Sequence, residues 1–274
     1  MGAALLRLHS HREETVKISI ITVCLNSSDT IEDTINSVLG QDYKDIEYIV
    51  IDGGSRDGTL DILTGYKKQI TKYISEPDKG IYNAMNKGIG MATGRVVGFL
   101  NADDLYYDES VISQIADTIK QNDYQAVYGD LVYVDRRKTE KVVRYWHAGQ
   151  YKKGAFRSGW VLPHPTFFCK RELFEQFGYF NENFQIAADF ELELRFIEKH
   201  QIKIGYIPKV LVKMRKGGKA TLVHGIITGN KEILKSFHMN HLKISPSFFI
   251  LRPIIKIYQL FNRPNGSKSK KTDS

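Results

Sequence analysis

The sequence predicts an α/β protein built around a parallel, doubly wound sheet. Three observations carry this. Short apolar, β-branched runs alternate with helical patterns from Ile18 to Leu100, a βαβαβαβ order. The runs are apolar almost throughout rather than alternating, as strands buried on both faces must be. Each run also delivers polar or acidic residues at or just beyond its C-terminal end.

The first strand is Ile18 to Leu25, closing on Asn26-Ser27-Ser28-Asp29. Asp29, with Glu32 three residues later, is a helix-start signal. Ile31, Ile35, Val38 and Leu39 then share one helical face until Gly40 stops it. Ile46 to Ile51 is the second strand and ends at Asp52, followed by Gly53-Gly54 and a helix through Leu60, Leu63 and Lys67. Ile70 to Ser75 is the third strand and leads through Glu76-Pro77-Asp78-Lys79-Gly80 into a helix carrying Ala84, Met85, Gly88 and Ile89. The fourth strand, Val96 to Leu100, runs straight into Asp103-Asp104. A helix with Val111, Ile112, Ile115 and Ile119 on its buried side follows. The pattern then changes to strands over Ala126–Val134 and Lys141–Trp146, paired around the charged turn Asp135–Lys138. A short strand over Thr166–Cys169 precedes a helix with Leu173, Phe174 and Phe177, and Asp189 opens a helix carrying Phe190, Leu194 and Ile197. Strands over Ile204–Ile207 and Val210–Met214 close the body. These elements divide the chain into a flexible leader (1–16), an α/β domain (17–218) and a helical, basic, amphipathic tail (219–274).

Charge is unevenly placed. Residues 209–274 hold fourteen Lys/Arg against Glu232 and Asp273, whereas residues 1–208 hold twenty-five against twenty-nine Asp/Glu, so the net +8 belongs to the C-terminal quarter. A basic tail on a mildly acidic body points to an anionic surface such as membrane lipid, not to nucleic acid. The stretch 245–271 interleaves Phe248, Ile250, Leu251, Ile254, Ile255 and Tyr258 with Arg252, Lys256, Arg263 and Lys268. Two readings stand: a segment lying in a membrane interface, or a helix packed on the domain or a partner. No run is long and apolar enough to span a bilayer, and the first residues carry no convincing signal peptide. Cys24 and Cys169 share no metal-ligand spacing and read as buried, reduced thiols of a cytosolic protein.

In a parallel sheet the strand ends share one edge, so Thr22 and Asn26, Asp52, Asp78 and Asp103-Asp104 converge on one crevice although far apart in sequence. Each alone reads as a cap or a solvated turn. Together, with two adjacent carboxylates at the end of a buried strand, they suit a hard cation, Mg²⁺ or Mn²⁺, and a phosphate-bearing substrate. Neither G-x-G-x-x-G nor a GKS/T motif occurs, so dinucleotide-binding and P-loop readings lack support.

The segments Ser19–Asn26, Ile51-Asp52-Gly53-Gly54-Ser55-Arg56-Asp57-Gly58-Thr59, Glu76–Asn86, Leu100–Asp104 and Ala188–Leu192 together resemble the family 2 glycosyltransferases of the GT-A fold. The resemblance spans roughly Lys17 to Gly218 and is nearest the bacterial members that build exopolysaccharide and lipopolysaccharide. It implies a Rossmann-like, mostly parallel sheet flanked by helices. It further implies that Asp52 holds the nucleotide base, with Thr22 and Asn26 in the pocket wall, and that Asp78 and Lys79 contact the nucleotide. Asp103-Asp104 matches the DXD-type motif, with Asp104 and then Asp103 on the metal at the donor's diphosphate. Asp189 matches the catalytic base. The family often has Glu before that Asp; here Ala188 stands there, which removes one contact to the acceptor. The Gln-x-x-Arg-Trp motif of processive members is absent, which disfavours a chain-elongating synthase.

The implied chemistry is inverting transfer from a nucleotide-diphosphate sugar, UDP by the resemblance, to a saccharide or lipid-linked acceptor. Lys79, and Arg215 beside Gly217-Gly218, would add positive charge near the leaving diphosphate. Asp189 would take the acceptor's proton. A plain N-cap is the rival role for Asp189. His164, held between Pro163 and Pro165, and Trp160 offer a fixed imidazole and a face to stack on a sugar, or else a structural turn with a buried aromatic. A nucleotidyltransferase, which needs no base at Asp189, or a non-catalytic sugar-nucleotide-binding protein remain the alternatives. The expected location is the cytoplasm, with the basic tail at the inner face of the membrane.

Overall fold

The computed structural model describes residues 15–217 and 223–261. Most of the expected leader, Gly218 of the expected glycine turn, and the tail beyond residue 261 lie outside the described residues. Nine strands form one sheet in the order β3-β2-β1-β4-β8-β6-β9-β5, with β7 paired to β6. The first four, β1 (Ile18–Cys24), β2 (Ile46–Asp52), β3 (Lys72–Ser75) and β4 (Val96–Phe99), run parallel as their apolar sequences predict. β6 (Ala126–Val134) also runs parallel to β9 (Ile204–Arg215). The sheet is nevertheless mixed. β8 (Phe168–Lys170) pairs antiparallel to β4 and β6, β7 (Val142–Trp146) antiparallel to β6, and β5 (Asp104–Tyr106) antiparallel to β9. The approach of β8 to β4 depends on Gly98, where an added Cβ would lie 2.1 Å from Cε1 of the buried Phe168 ring.

Side-chain alternation along the strands divides the core into two layers. Ile21, Val23, Val97 and Phe99 face α3 (Ile81–Met91), α5 (Glu172–Phe177) and α6 (Ala188–Glu193). Ile18, Ile20, Val50 and Val96 face α1 (Ile31–Leu39) and α4 (Val111–Asn122). Burying each such aliphatic chain stabilises the fold by about 1.5–3 kcal/mol.

Several elements differ from their sequence signals. Helix α1 is preceded by Thr30 rather than Asp29, and no side chain caps it. Helix α2 (Thr59–Gly65) ends before Lys67. Thr166 forms a 3-10 turn instead of a strand, because its hydroxyl donates to the Pro163 and Gly129 carbonyls at 2.8 and 3.0 Å. The two expected closing strands are one, β9, because register shifts opposite Gly129, Asp130 and Leu131 absorb Pro208-Lys209. Helix α6 continues as wider π-type turns over Leu194–Lys199.

Helix α7 (Val223–Met239) packs on α6, burying Ile233 and Phe237. Phe248, at the start of α8 (Phe248–Phe261), is wholly buried against Phe190 and Phe237. The outer side of α8 exposes Ile250, Leu251, Ile254, Ile255 and Tyr258. No helix among the described residues is long and apolar enough to cross a membrane.

Candidate functional site

The ends of β1 and β2 are joined by their loops. Asn26 adopts the left-handed conformation (φ 50°), which asparagine tolerates better than most residues. Its N–H donates to Ser55 Oγ at 2.7 Å, and its Oδ1 accepts the Arg56 N–H at 2.9 Å. Asp52 is wholly buried and accepts from the N–H groups of Gly54 and Ser55, each at 3.0 Å, and from the hydroxyls of Ser55 and Ser75. Burial alone would raise this carboxyl, but those bonds outweigh it and hold it below its ordinary value. Thr22 is equally buried and accepts the Tyr48 hydroxyl at 3.2 Å. Thr22 and Asp52 therefore lie behind the rim, while Asn26 stands on it. Asp78 closes the same corner: a Cβ at Gly53 would lie 2.4 Å from Asp78 Oδ2, and Asp78 Oδ1 accepts the Gly80 N–H at 2.8 Å. Lys79 is exposed beside it.

The two carboxylates after β4 differ in placement. Asp103 is half-buried; Asp104, the first residue of β5, is wholly buried and faces Asn101 Nδ2 at 3.4 Å and the Arg215 N–H at 3.3 Å. Burial raises both, and the Asp103 charge pushes Asp104 further. Arg215 is buried here, but its guanidinium is engaged with Asp33 and with the carbonyls of Asp103 (2.9 Å) and Arg136 (3.1 Å). It fastens the carboxylate loop rather than offering a free charge to a ligand. Asn101 Oδ1, in the same loop, is buried with no donor among the described residues. Carboxylate and amide oxygens are the donor type that suits a hard divalent cation, and Asp103 is the more accessible of the two carboxylates. Among the described residues no cluster of three His, Cys, Asp or Glu exists to hold a metal by itself, so a cation here would share its coordination with a substrate diphosphate.

Asp189 is the second residue of α6 and is half-buried. The cap position is Ala187, so Asp189 is not the N-cap. Its Oδ1 accepts the Phe190 N–H at 2.8 Å and faces the Tyr82 hydroxyl at 3.5 Å. Among the described residues nothing donates to Oδ2. Tyr82 stands two residues beyond Gly80, so the first turn of α3 links the Asp78-Lys79 loop to Asp189. Three N–H groups ahead of the helix, those of Gln185, Ile186 and Ala187, donate to Glu232 of α7 at 2.7–2.9 Å.

His164 is buried beneath this region, stacked on Phe99 (5.7 Å between ring centroids), with Nδ1 3.0 Å from Glu193 Oε1. Burial pushes the Glu193 carboxyl up to about 7, and Glu193 in turn raises the His164 imidazole against the effect of burial. Among the described residues Nε2 of His164 has no hydrogen-bond partner. Trp160 donates its indole N–H to the Ala148 carbonyl at 2.7 Å and meets Tyr128 and Phe156 edge-on, half-buried in an aromatic cluster. Sequence reasoning missed Tyr82, Glu193 and Glu232. Glu193 carried a signal, since it lies four residues after Asp189 on one helical face, and so did Glu232, a lone acid in a basic stretch.

Comparison with known proteins agrees with this architecture. A "PGL/p-HBAD biosynthesis glycosyltransferase" of Mycobacterium tuberculosis is 29% identical over 226 residues, covering 81% of this chain and 84% of that protein. An uncharacterised glycosyltransferase of the same organism is 33% identical over 186 residues, 65% of this chain and 68% of that one. Among solved structures, S. aureus TarS bound to UDP-GlcNAc superposes with a TM-score of 0.65 at 18% identity, covering 91% of this chain and 74% of that one. The mannosyltransferase PcManGT of Pyrobaculum calidifontis, with GDP-Man and Mn²⁺, gives 0.62 at 19%, covering 89% and 69%. The fold is thus GT-A-like. The model of "Glycosyl transferase family 2" matches residues 19–177, from β1 through α5 and across both strand-end loops and the paired carboxylates, and the chain is a member of that family of glycosyltransferases.

Proposed function

We propose that the protein is an inverting, metal-dependent, non-processive glycosyltransferase. It moves a sugar from a nucleotide-diphosphate donor, UDP-linked, to a saccharide or lipid-linked acceptor in cell-surface polysaccharide biosynthesis. The observation that carries this reading is the link through α3. That helix starts at the Asp78-Lys79 loop, and within its first turn Tyr82 reaches Asp189. A nucleotide-binding corner and a carboxylate with one open oxygen therefore share a rigid element.

Each residue takes a role from its placement. Asn26 and Asp78 line the rim where the nucleotide enters. Asp52 and Thr22 hold the loop and strand behind it, with Asp52 setting the Gly53–Ser55 turn that a base would rest on. Lys79, exposed next to Asp78, supplies charge for the phosphates. Asp103, the less buried carboxylate, leads on the cation, Asp104 supports it from behind, and Arg215 holds the loop that carries both. A divalent cation bound there would neutralise the charge that builds on the leaving diphosphate. Asp189 accepts the acceptor hydroxyl's proton on Oδ2 while Oδ1 stays fixed by Phe190 N–H and Tyr82. Attack from that side, opposite the leaving group, inverts the anomeric carbon. His164 acts from beneath, under Phe99 at the end of β4.

The enzyme works in the cytoplasm, and residues 245–271 make peripheral contact with an anionic lipid surface. The apolar outer side of α8 and the basic residues around it support this contact. The test is a panel of sugar nucleotides measured for Mn²⁺-dependent thermal stabilisation. A true donor at 100 times its Kd adds about 2.7 kcal/mol of stability. Failure of every nucleotide sugar to shift the melting temperature with metal present would end the reading.

A further inference from the structure

Helix α8, outside the segment that matches the family model, brings a cation close to α6, the helix that carries Asp189. Phe248 packs on Phe190, the residue after Asp189, with ring centroids 6.3 Å apart. Arg252 lies one helical turn further on, its guanidinium 5.7 Å from the Phe248 ring. The backbone N and Cβ of Arg252 approach Gly159 so closely that an added Cβ there would lie 3.4 and 3.5 Å from them. Among the described residues its buried Nε has no hydrogen-bond partner and no ion pair involves it. Burial lowers the affinity of this side chain for its proton, and the Asp189 charge opposes that effect. Arg252 thus stands one helical turn from the ring that packs on the residue after Asp189, and among the described residues no bond joins Arg252 to Asp189. Arg252 is half-buried, and a buried Nε–H without an acceptor is a cost that a ligand oxygen would remove.

We propose that Arg252 binds a phosphate carried by the acceptor, beside the hydroxyl that Asp189 deprotonates. The planar fork of arginine matches a phosphate through two parallel hydrogen bonds, whereas Asp189 itself would repel that group. Anchoring the phosphate on Arg252 orients the acceptor, with its hydroxyl toward Asp189 and its phosphate toward α8. The inference rests on the glycosyltransfer reading and names its acceptor class. A lipid-linked phosphate and a phosphorylated soluble saccharide present the same group.

The test uses the full chain and the fluorescence of Trp160, which adjoins Gly159. Farnesyl phosphate, farnesol and inorganic phosphate are titrated into the unsubstituted protein, Arg252→Gln and Arg252→Lys. Arg252→Gln should weaken farnesyl phosphate at least tenfold and inorganic phosphate by a similar factor, leave farnesol unchanged, and be only partly matched by Arg252→Lys. Inorganic phosphate binding nearly as well as farnesyl phosphate would assign the group to a soluble acceptor; a strong preference for farnesyl phosphate would assign it to a lipid-linked one. Equal affinity of farnesyl phosphate for the unsubstituted protein and Arg252→Gln would overturn the proposal, as would equal affinity of farnesol and farnesyl phosphate. If Arg252→Gln does not fold, the lysine variant decides: it keeps the charge but loses the fork, and unchanged affinity would overturn the proposal. Metal-dependent stabilisation of the unsubstituted protein by nucleotide sugars reports the donor site separately, so failure there counts against the glycosyltransfer reading alone.

Discussion

Replacing Glu232 by Ala tests whether α7 sets the position of Asp189. The carboxylate accepts three N–H groups in a row, from Gln185, Ile186 and Ala187, at 2.7, 2.9 and 2.8 Å. Ala187 is buried, so its orphaned N–H carries the full desolvation cost of about 1–3 kcal/mol. Gln185 is exposed and Ile186 half-buried, and water can reach both, so each loses only about 1 kcal/mol net. The total is roughly 3–5 kcal/mol, and at about 2–4 °C per kcal/mol the melting temperature should fall by roughly 6–20 °C. Scanning calorimetry, with urea unfolding to check that the slope is unchanged, measures it. Transfer should also fall at temperatures where the variant is fully folded, because the turn that starts α6 is no longer held. A loss below about 1 kcal/mol would mean that water replaces Glu232 freely and would refute the reasoning.

Two further outcomes follow from the sheet. At the edge opposite the site, burial would raise the Glu47 carboxyl, but bonds from Ser19, the Thr93 N–H and Lys72 outweigh it and hold it at about 2. A carboxyl lowered in the folded state stabilises above its unfolded value, 4.5, and loses that contribution as pH falls toward 2, so Glu47→Gln should flatten the decline of melting temperature over that window. Gly98→Ala forces a methyl group to within 2.1 Å of the buried Phe168 ring and should cost at least about 1–3 kcal/mol in urea unfolding, by parting β4 from β8.

The parallel half of the sheet was legible because a strand buried on both faces has a distinctive composition, as in Ile18–Cys24 and Ile46–Asp52. The antiparallel half was not, since nothing in Phe168-Cys169-Lys170 states which neighbour it will take or in which direction. The strand-end loops were legible as a set, and Asn26, Ser55, Asp52 and Asp78 do lie together. Burial within that set was not: position along a strand places a carboxylate at an edge but does not say whether it looks into the crevice or behind it. Asp52 and Asp104 both look behind. Contacts from the C-terminal helices were the least legible. Glu232 holds the turn before α6, and Phe248 packs on Phe190, across more than forty residues of chain, and local pattern carries no such information.

The most direct test of the account is Asp189→Asn, assayed with the nucleotide sugar that gives the largest Mn²⁺-dependent stabilisation. Asparagine keeps the size of the side chain and its acceptor for the Phe190 N–H but has no basic oxygen to take a proton. The account predicts that donor binding persists while transfer falls by about 10²–10⁴-fold. Transfer continuing near the unsubstituted rate, with donor binding intact, would contradict it.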